Sequence, residues 1–350
     1  MIRPDLFRHL PATAGAALAL AGFIAMAPPA SAGPDHTALR ERALGVLEAQ
    51  FGAFRQESGK LAAASSAYCA GTLAEAEYLD RLKTTWLTWA PLDAWQFGPI
   101  EQRAAVLTIA FWPDKKDYVG RGLKALTALP EERLADPATI AAGSAAAQGL
   151  PALARLMVSD LPACPAVIGI SAHLNDLADT LYADWFDDNG WADLMRQAGP
   201  DNPVYLTGAE VTKALFSSIT FELTVIADMR LGRPLGSFDK PRPKRAEARR
   251  IGLSLAIIDA QLAGLADMLR EGFAGDVPDA ARQKLLDAIA ETRRRIGKIG
   301  LPLDKAVDDP MTRIRVEGLQ TQVRYLFALF SEEIGPSLGV ESGFSPADGD

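Results

Sequence analysis

Apolar residues spaced for helices run the length of this chain and leave almost no room for strands. Ile251, Leu255, Ile258, Leu262, Leu265 and Leu269 step by 4, 3, 4, 3 and 4, which lays one apolar seam down a long helix. Val316, Leu319, Val323, Leu326 and Phe330 repeat the pattern, as do Ile170, Leu174, Leu177 and Leu181. No segment alternates strictly in the manner of a strand, so the expected class is all-α. Long helices are expected near 37–66, 72–90, 166–186, 208–230, 246–271, 278–298 and 309–333, with shorter pieces at 99–108, 117–127 and 147–159. Thr72 with Glu75 and Thr207 with Glu210 have the spacing of capping boxes. Pro278 suits a first helical turn, and Gly272, Gly275 and Pro336 stand where helices should stop.

The polar stretch Gln197 to Pro203, with Gly199 and Pro200, is the expected boundary between two halves. It divides an N-terminal helical domain, 33–200, from a C-terminal domain, 201–350, expected as a four-helix bundle. Residues 1–32 read as a signal peptide. Arg3 and Arg8 are basic, Ala12 to Ala27 is apolar but for Thr13, and Ala30-Ser31-Ala32 supplies the small residues of a cleavage site. Cleavage near Ala32 and a periplasmic location are the expectation. The apolar run is short for a membrane span, and no Cys follows it to carry a lipid anchor.

A net charge of -8 excludes a nucleic-acid partner, which needs clustered cations to neutralise phosphates. The basic run Lys240 to Arg250 reads as a solvated connector within that acidic whole. The two cysteines, Cys69 and Cys164, are most simply one disulfide in an oxidising compartment; two buried free thiols are the alternative. His36 and His173 are the histidines beyond residue 32. His173 and Asp176 have helical spacing, which a surface pair explains better than a metal site. No Gly-x-Ser-x-Gly elbow, Walker loop or Gly-x-Gly-x-x-Gly turn is present. No catalytic or metal-ligating set follows from the residues.

Several segments, taken in order, resemble the imelysin-like proteins, a family of exported helical proteins. They are Trp86-x-x-Trp89 with Trp95 and Gly98-Pro99, then Phe111-Trp112-Pro113-Asp114-Lys115, Gly149-Leu150-Pro151-Ala152-Leu153 and Arg230-Leu231-Gly232-Arg233-Pro234-Leu235-Gly236. Leu338-Gly339, Gly343-Phe344 and Asp348-Gly349-Asp350 close the set, which spans about residues 37–350. The resemblance implies two helical-bundle domains packed around a cleft. It also implies a role among proteins that include an insulin-cleaving protease and others linked to iron or haem uptake. The family's motif is Gly-x-His-x-x-Glu. In this chain Gly149 keeps the glycine, Pro151 stands at the histidine and Ala154 at the glutamate, and neither replacement can ligate a metal or move a proton.

The expected function is therefore a non-catalytic binding protein of iron or haem acquisition, with iron or haem as ligand and no cofactor of its own. A metallopeptidase using other ligands, or an envelope scaffold with a protein partner, are the alternatives. Candidate ligand-binding residues are Trp112, Asp114 and Lys115 in a dense loop, Glu222 on an otherwise apolar helix, and Arg230 at its end. Each has a structural alternative: Trp112 as a bundle cap, Glu222 as half of an inter-helix ion pair, Arg230 as compensation of a helix C-terminus.

Overall fold

Helix α1, His36–Cys69, organises the molecule. The structure, a computed structural model, describes residues 33–161 and 164–340. The expected signal segment and the Gly343-Phe344 and Asp348-Gly349-Asp350 motifs lie outside them. Asp35 caps α1 by accepting from the amides of Thr37 and Ala38. Leu39, Leu47, Phe51, Phe54 and Leu61 bury one stripe of the helix. Against it pack α2, Glu75–Trp89, the short helix Trp191–Arg196, and Cys164–Phe186, which carries Ile170, Leu174 and Leu181 inward. The far flank of α1 meets Gly208–Thr224 and Met268–Gly272. It therefore touches elements on both sides of Gln197–Pro203, and the described residues from Gly33 onward cluster as one compact unit.

The class is all-α. Among the described residues there is no strand, only an isolated bridge between Ser237 and Lys240, and no helix is long and apolar enough to cross a membrane. We number the remaining main helices α3, Tyr118–Leu126; α4, Leu150–Leu156; α5, Cys164–Phe186; α6, Gly208–Thr224; α7, Ser254–Asp267; α8, Asp279–Gly297; and α9, Pro310–Leu329. In the second half, α8 packs on α7 and α9, and α9 packs on α6. The α9 seam is realised in full: Val316, Leu319, Val323, Leu326 and Phe330 are all buried. Three helices run on into wider π-helical turns, at Val225–Leu231, Met268–Gly272 and Phe330–Ile334. Trp86, Trp89 and Trp185 form the aromatic centre, with the rings of Phe51 and Trp185, and of Phe54 and Trp89, 5.2 Å apart. A disulfide joins Cys69 at the end of α1 to Cys164 at the start of α5, their Cα atoms 5.4 Å apart.

Two local expectations are corrected. Thr207 does cap α6, accepting from the amide of Glu210, but Thr72 does not cap α2. Its hydroxyl donates to the carbonyl of Ala67, and α2 begins only at Glu75. The helix expected from 246 begins at Ser254 instead. Ahead of it Ala248 and Gly252 take left-handed backbone angles, φ 48° and 67°, on either side of the single 3-10 turn Arg249–Ile251. Ile251 thus belongs to a loop and not to the seam.

Candidate functional site

A pocket of about 620 Å³ opens where five separate segments meet, a volume ordinary for a small-molecule site. Trp86 comes from α2, and Pro151 and Ala154 from α4. The loop before α3 contributes Phe111, Trp112, Asp114 and Lys115; Arg233 and the run Lys244–Arg250 close the other side. The candidate loop and the altered motif positions, distant in sequence, therefore share one wall.

Local chemistry explains how each piece is held. Asp114 sits ahead of α3, and its two carboxylate oxygens accept from the amides of Tyr118, at 2.7 Å, and Val119, at 3.2 Å. The Trp112-Pro113 bond is cis. The Trp112 indole N–H donates to the carbonyl of Arg245 at 3.3 Å, tying this loop to the basic run across the pocket. On its face the ring carries the guanidiniums of Arg230 and Arg233, 5.5 and 5.8 Å from its centre. Arg313 and Gln320 of α9 donate to the carbonyls of Leu235 and Ala227 and fix the turn that bears Arg233.

Gly149 has a packing role. It precedes α4, and a Cβ there would lie 2.2 Å from the carbonyl oxygens of both Thr108 and Ile109. Only glycine permits that approach of backbone to backbone. Pro151 occupies the first turn of α4, where its missing N–H leaves no broken bond.

Behind the pocket wall lies a buried charge cluster. Arg230 is 4% exposed and meets the carboxylates of Asp93 and Glu247, the latter with Nε 2.8 Å from Oε2. Glu222 and Gln261 are buried beside them. Burial first, and the Asp93 charge second, hold the Glu222 carboxyl well above the usual carboxylate range, with Arg230 opposing. Glu247 is pushed up to about 7 by burial, again against the pull of Arg230. For Arg230 burial is outweighed by Glu247 and Asp93, which raise its affinity for the proton and lock it as a cation. One guanidinium thus serves Asp93 and Glu247, while burial pushes Glu247 and Glu222 toward their neutral forms.

Of the five candidate ligand residues, Trp112, Asp114 and Lys115 line the pocket, whereas Glu222 and Arg230 stand behind its wall. The inter-helix ion pair expected for Glu222 is instead a cluster in which Arg230 is engaged by Asp93 and Glu247. Sequence reasoning missed Asp93, Glu247 and Gln261, and it left Lys244 to Arg250 as a solvated connector, where the structure makes them a pocket wall. The available signal was Glu247 itself, a lone acid inside a basic run. His173 lies on α5, outside the pocket lining, with burial lowering its proton affinity and Asp176 opposing. His36 shares a 2.8 Å hydrogen bond with Thr212 and joins α1 to α6.

The residues present do not fit a metal at the motif. Pro151 and Ala154 offer no donor, Asp114 is engaged by amides and Glu247 by Arg230. Among the described residues no group of three or more His, Cys, Asp or Glu is arranged to hold an ion.

A family model described as imelysin matches residues 47–330. An imelysin-like protein from Psychrobacter arcticum 273-4 superposes with a TM-score of 0.74 at 20% identity, covering 89% of this chain and 100% of its own. A protein described as an iron-regulated protein A precursor, from Parabacteroides distasonis ATCC 8503, superposes with a TM-score of 0.67 at 13% identity, covering 86% of this chain and 96% of its own. No curated protein matches the chain.

Proposed function

We propose, for a chain that belongs to the imelysin family, a non-catalytic role as an exported binding protein in iron or haem acquisition. The observation that carries this reading is the survival of the pocket without the motif. Pro151 and Ala154 stand in the wall of a cavity of about 620 Å³, and its remaining acids are engaged in caps and ion pairs. Such a site can bind and orient a ligand, but its lining holds no Ser, Thr, Cys or His and no metal cradle for hydrolysis. Export is supported by the basic, apolar and small-residue segments of residues 1–32 and by the Cys69–Cys164 disulfide.

The test uses the mature protein purified from periplasm. Its iron and haem content is measured, and it is titrated with ferric iron and with haem. Saturable binding that is weakened in Ala154→Trp, whose indole takes up part of the pocket, is the expected result. Binding indifferent to that substitution, or none to either probe, overturns the reading. Chelator-sensitive cleavage of an unstructured protein would replace it with a metallopeptidase.

A further inference from the structure

Elsewhere on this acidic chain many cations, though not all, are matched to carboxylates. Arg55 meets Asp179, Arg103 meets Asp184, Arg196 meets Glu41 and Asp193, Arg293 meets Asp259 and Arg324 meets Asp228. Around the pocket, cations without an ion pair are gathered together. Lys115, Arg233, Lys244, Arg245, Arg249 and Arg250 all line it, and among the described residues none of the six forms an ion pair within 4.0 Å. The three acids of the lining offset these six cations only in part. Asp114 accepts two amides, Asp117 faces Arg155 at 3.7 Å, and Glu247 is turned to Arg230.

The cations also crowd one another. Burial, then the charges of Arg155 and Arg249, hold the Arg250 guanidinium below its ordinary proton affinity, with Asp117 and Asp114 opposing. Arginine stays charged under such a shift, so the crowding persists as repulsion that a bound anion would relieve. Beside these charges Phe111 and Trp112 supply an aromatic wall, with the buried Trp86 behind it. In a concave site with low-dielectric walls, unmatched positive charge concentrates its field on whatever enters.

We propose that the pocket takes an organic polyanion, a small ligand with two or more carboxylates on a body that can lie against Phe111 and Trp112. This rests on the reading of the pocket as a ligand site and adds the ligand's charge. It also bears on iron. With the lining carboxylates engaged, iron enters as a chelate that brings its own anionic donors, or inside a macrocycle that bears carboxylates. Guanidiniums recognise such groups through paired N–H donors.

The test is calorimetric titration of the mature, disulfide-bonded protein with ferric citrate, citrate alone, haem and a neutral ferric hydroxamate chelate, at low and high salt. Ferric citrate or haem should bind, more weakly as salt rises, and citrate alone distinguishes recognition of the carboxylates from recognition of the whole chelate. Arg249→Gln with Arg250→Gln should weaken binding about 100-fold, two charge-assisted contacts at about tenfold each, with an unchanged urea midpoint. Arg270→Gln, away from the pocket, should leave it intact. If no probe binds saturably, the functional reading and the polyanion assignment fall together. If the neutral chelate binds as tightly as the anionic probes, or the double variant binds within about twofold of the parent, the site stands and the polyanion assignment is overturned.

Discussion

Replacing Arg230 with Met removes one positive charge from the buried cluster and keeps most of the apolar stem. Arg230, Asp93 and Glu247 are 4%, 7% and 4% exposed, so water cannot screen what remains. Removing one partner of a buried pair costs about 3–5 kcal/mol; two carboxylates share this guanidinium, which argues for the upper end at alkaline pH. The deficit should also depend on pH. In the parent protein Glu247 titrates at about 7 in the folded state, against an ordinary value of 4.5, and burial is the leading cause. Between those values the unfolded chain has released the proton while the folded chain still holds it. Stability therefore falls as pH rises through the window, by an amount on the order of 3 kcal/mol in all. Glu222 is shifted in the same direction. Without Arg230 the pull that opposes burial is gone, the folded carboxyls hold their protons further up, and the window extends beyond its parental upper limit. Urea unfolding followed by circular dichroism, at about pH 5.5 and about pH 8, reads this directly. The variant should lose about 5 kcal/mol at the higher pH and clearly less at the lower. A loss below about 1 kcal/mol, or the same loss at both, would refute the idea that Arg230 neutralises the buried acids.

Gly149→Ala should destabilise by about 1–3 kcal/mol and disturb the pocket, because its Cβ must displace two backbone carbonyls; an unchanged melting temperature would show that α4 can yield. Removing the disulfide as Cys69→Ser with Cys164→Ser should cost about 2–5 kcal/mol, and an unchanged urea midpoint would contradict its role in holding α1 to α5. Restoring the motif as Pro151→His with Ala154→Glu should create a zinc affinity measurable by calorimetry and absent from the parent. It should not create a peptidase, since two ligands fall short of the usual three for catalytic zinc; cleavage of an unfolded protein by that variant would overturn this.

The seams of α9 and α5 were legible because a buried helical face imposes its own spacing on the sequence, and Val316 to Phe330 meets it at every step. Residues 246–253 misled because their apolar spacing continues the seam of α7 backwards. The chain is broken there by the left-handed Ala248 and Gly252, and of these only the glycine carries a local signal. The loop Trp112 to Lys115 announced itself by packing aromatic and charged groups into a turn. Lys244 to Arg250 did not, because a basic loop reads as solvated until something folds across from it. Trp112 does so here, through its bond to the carbonyl of Arg245. The Asp93–Arg230–Glu247 contacts join three distant segments, and no spacing rule reaches that far.

The placement of α1 also sets an order of assembly. This helix, about 50 Å long, is made early, yet one element that packs on it, Met268–Gly272, comes far later in the chain. Ala43 packs near Gly272, and the stretch Met268–Gly272 arrives only after α5 and α6 have been made. Until then the stripe of α1 around Ala43 has water on one side, and closing so long a loop is slow. A chain cut before Met268 would keep that stripe uncovered and would aggregate instead of folding. The nascent stripe is also where a holding chaperone would find its grip.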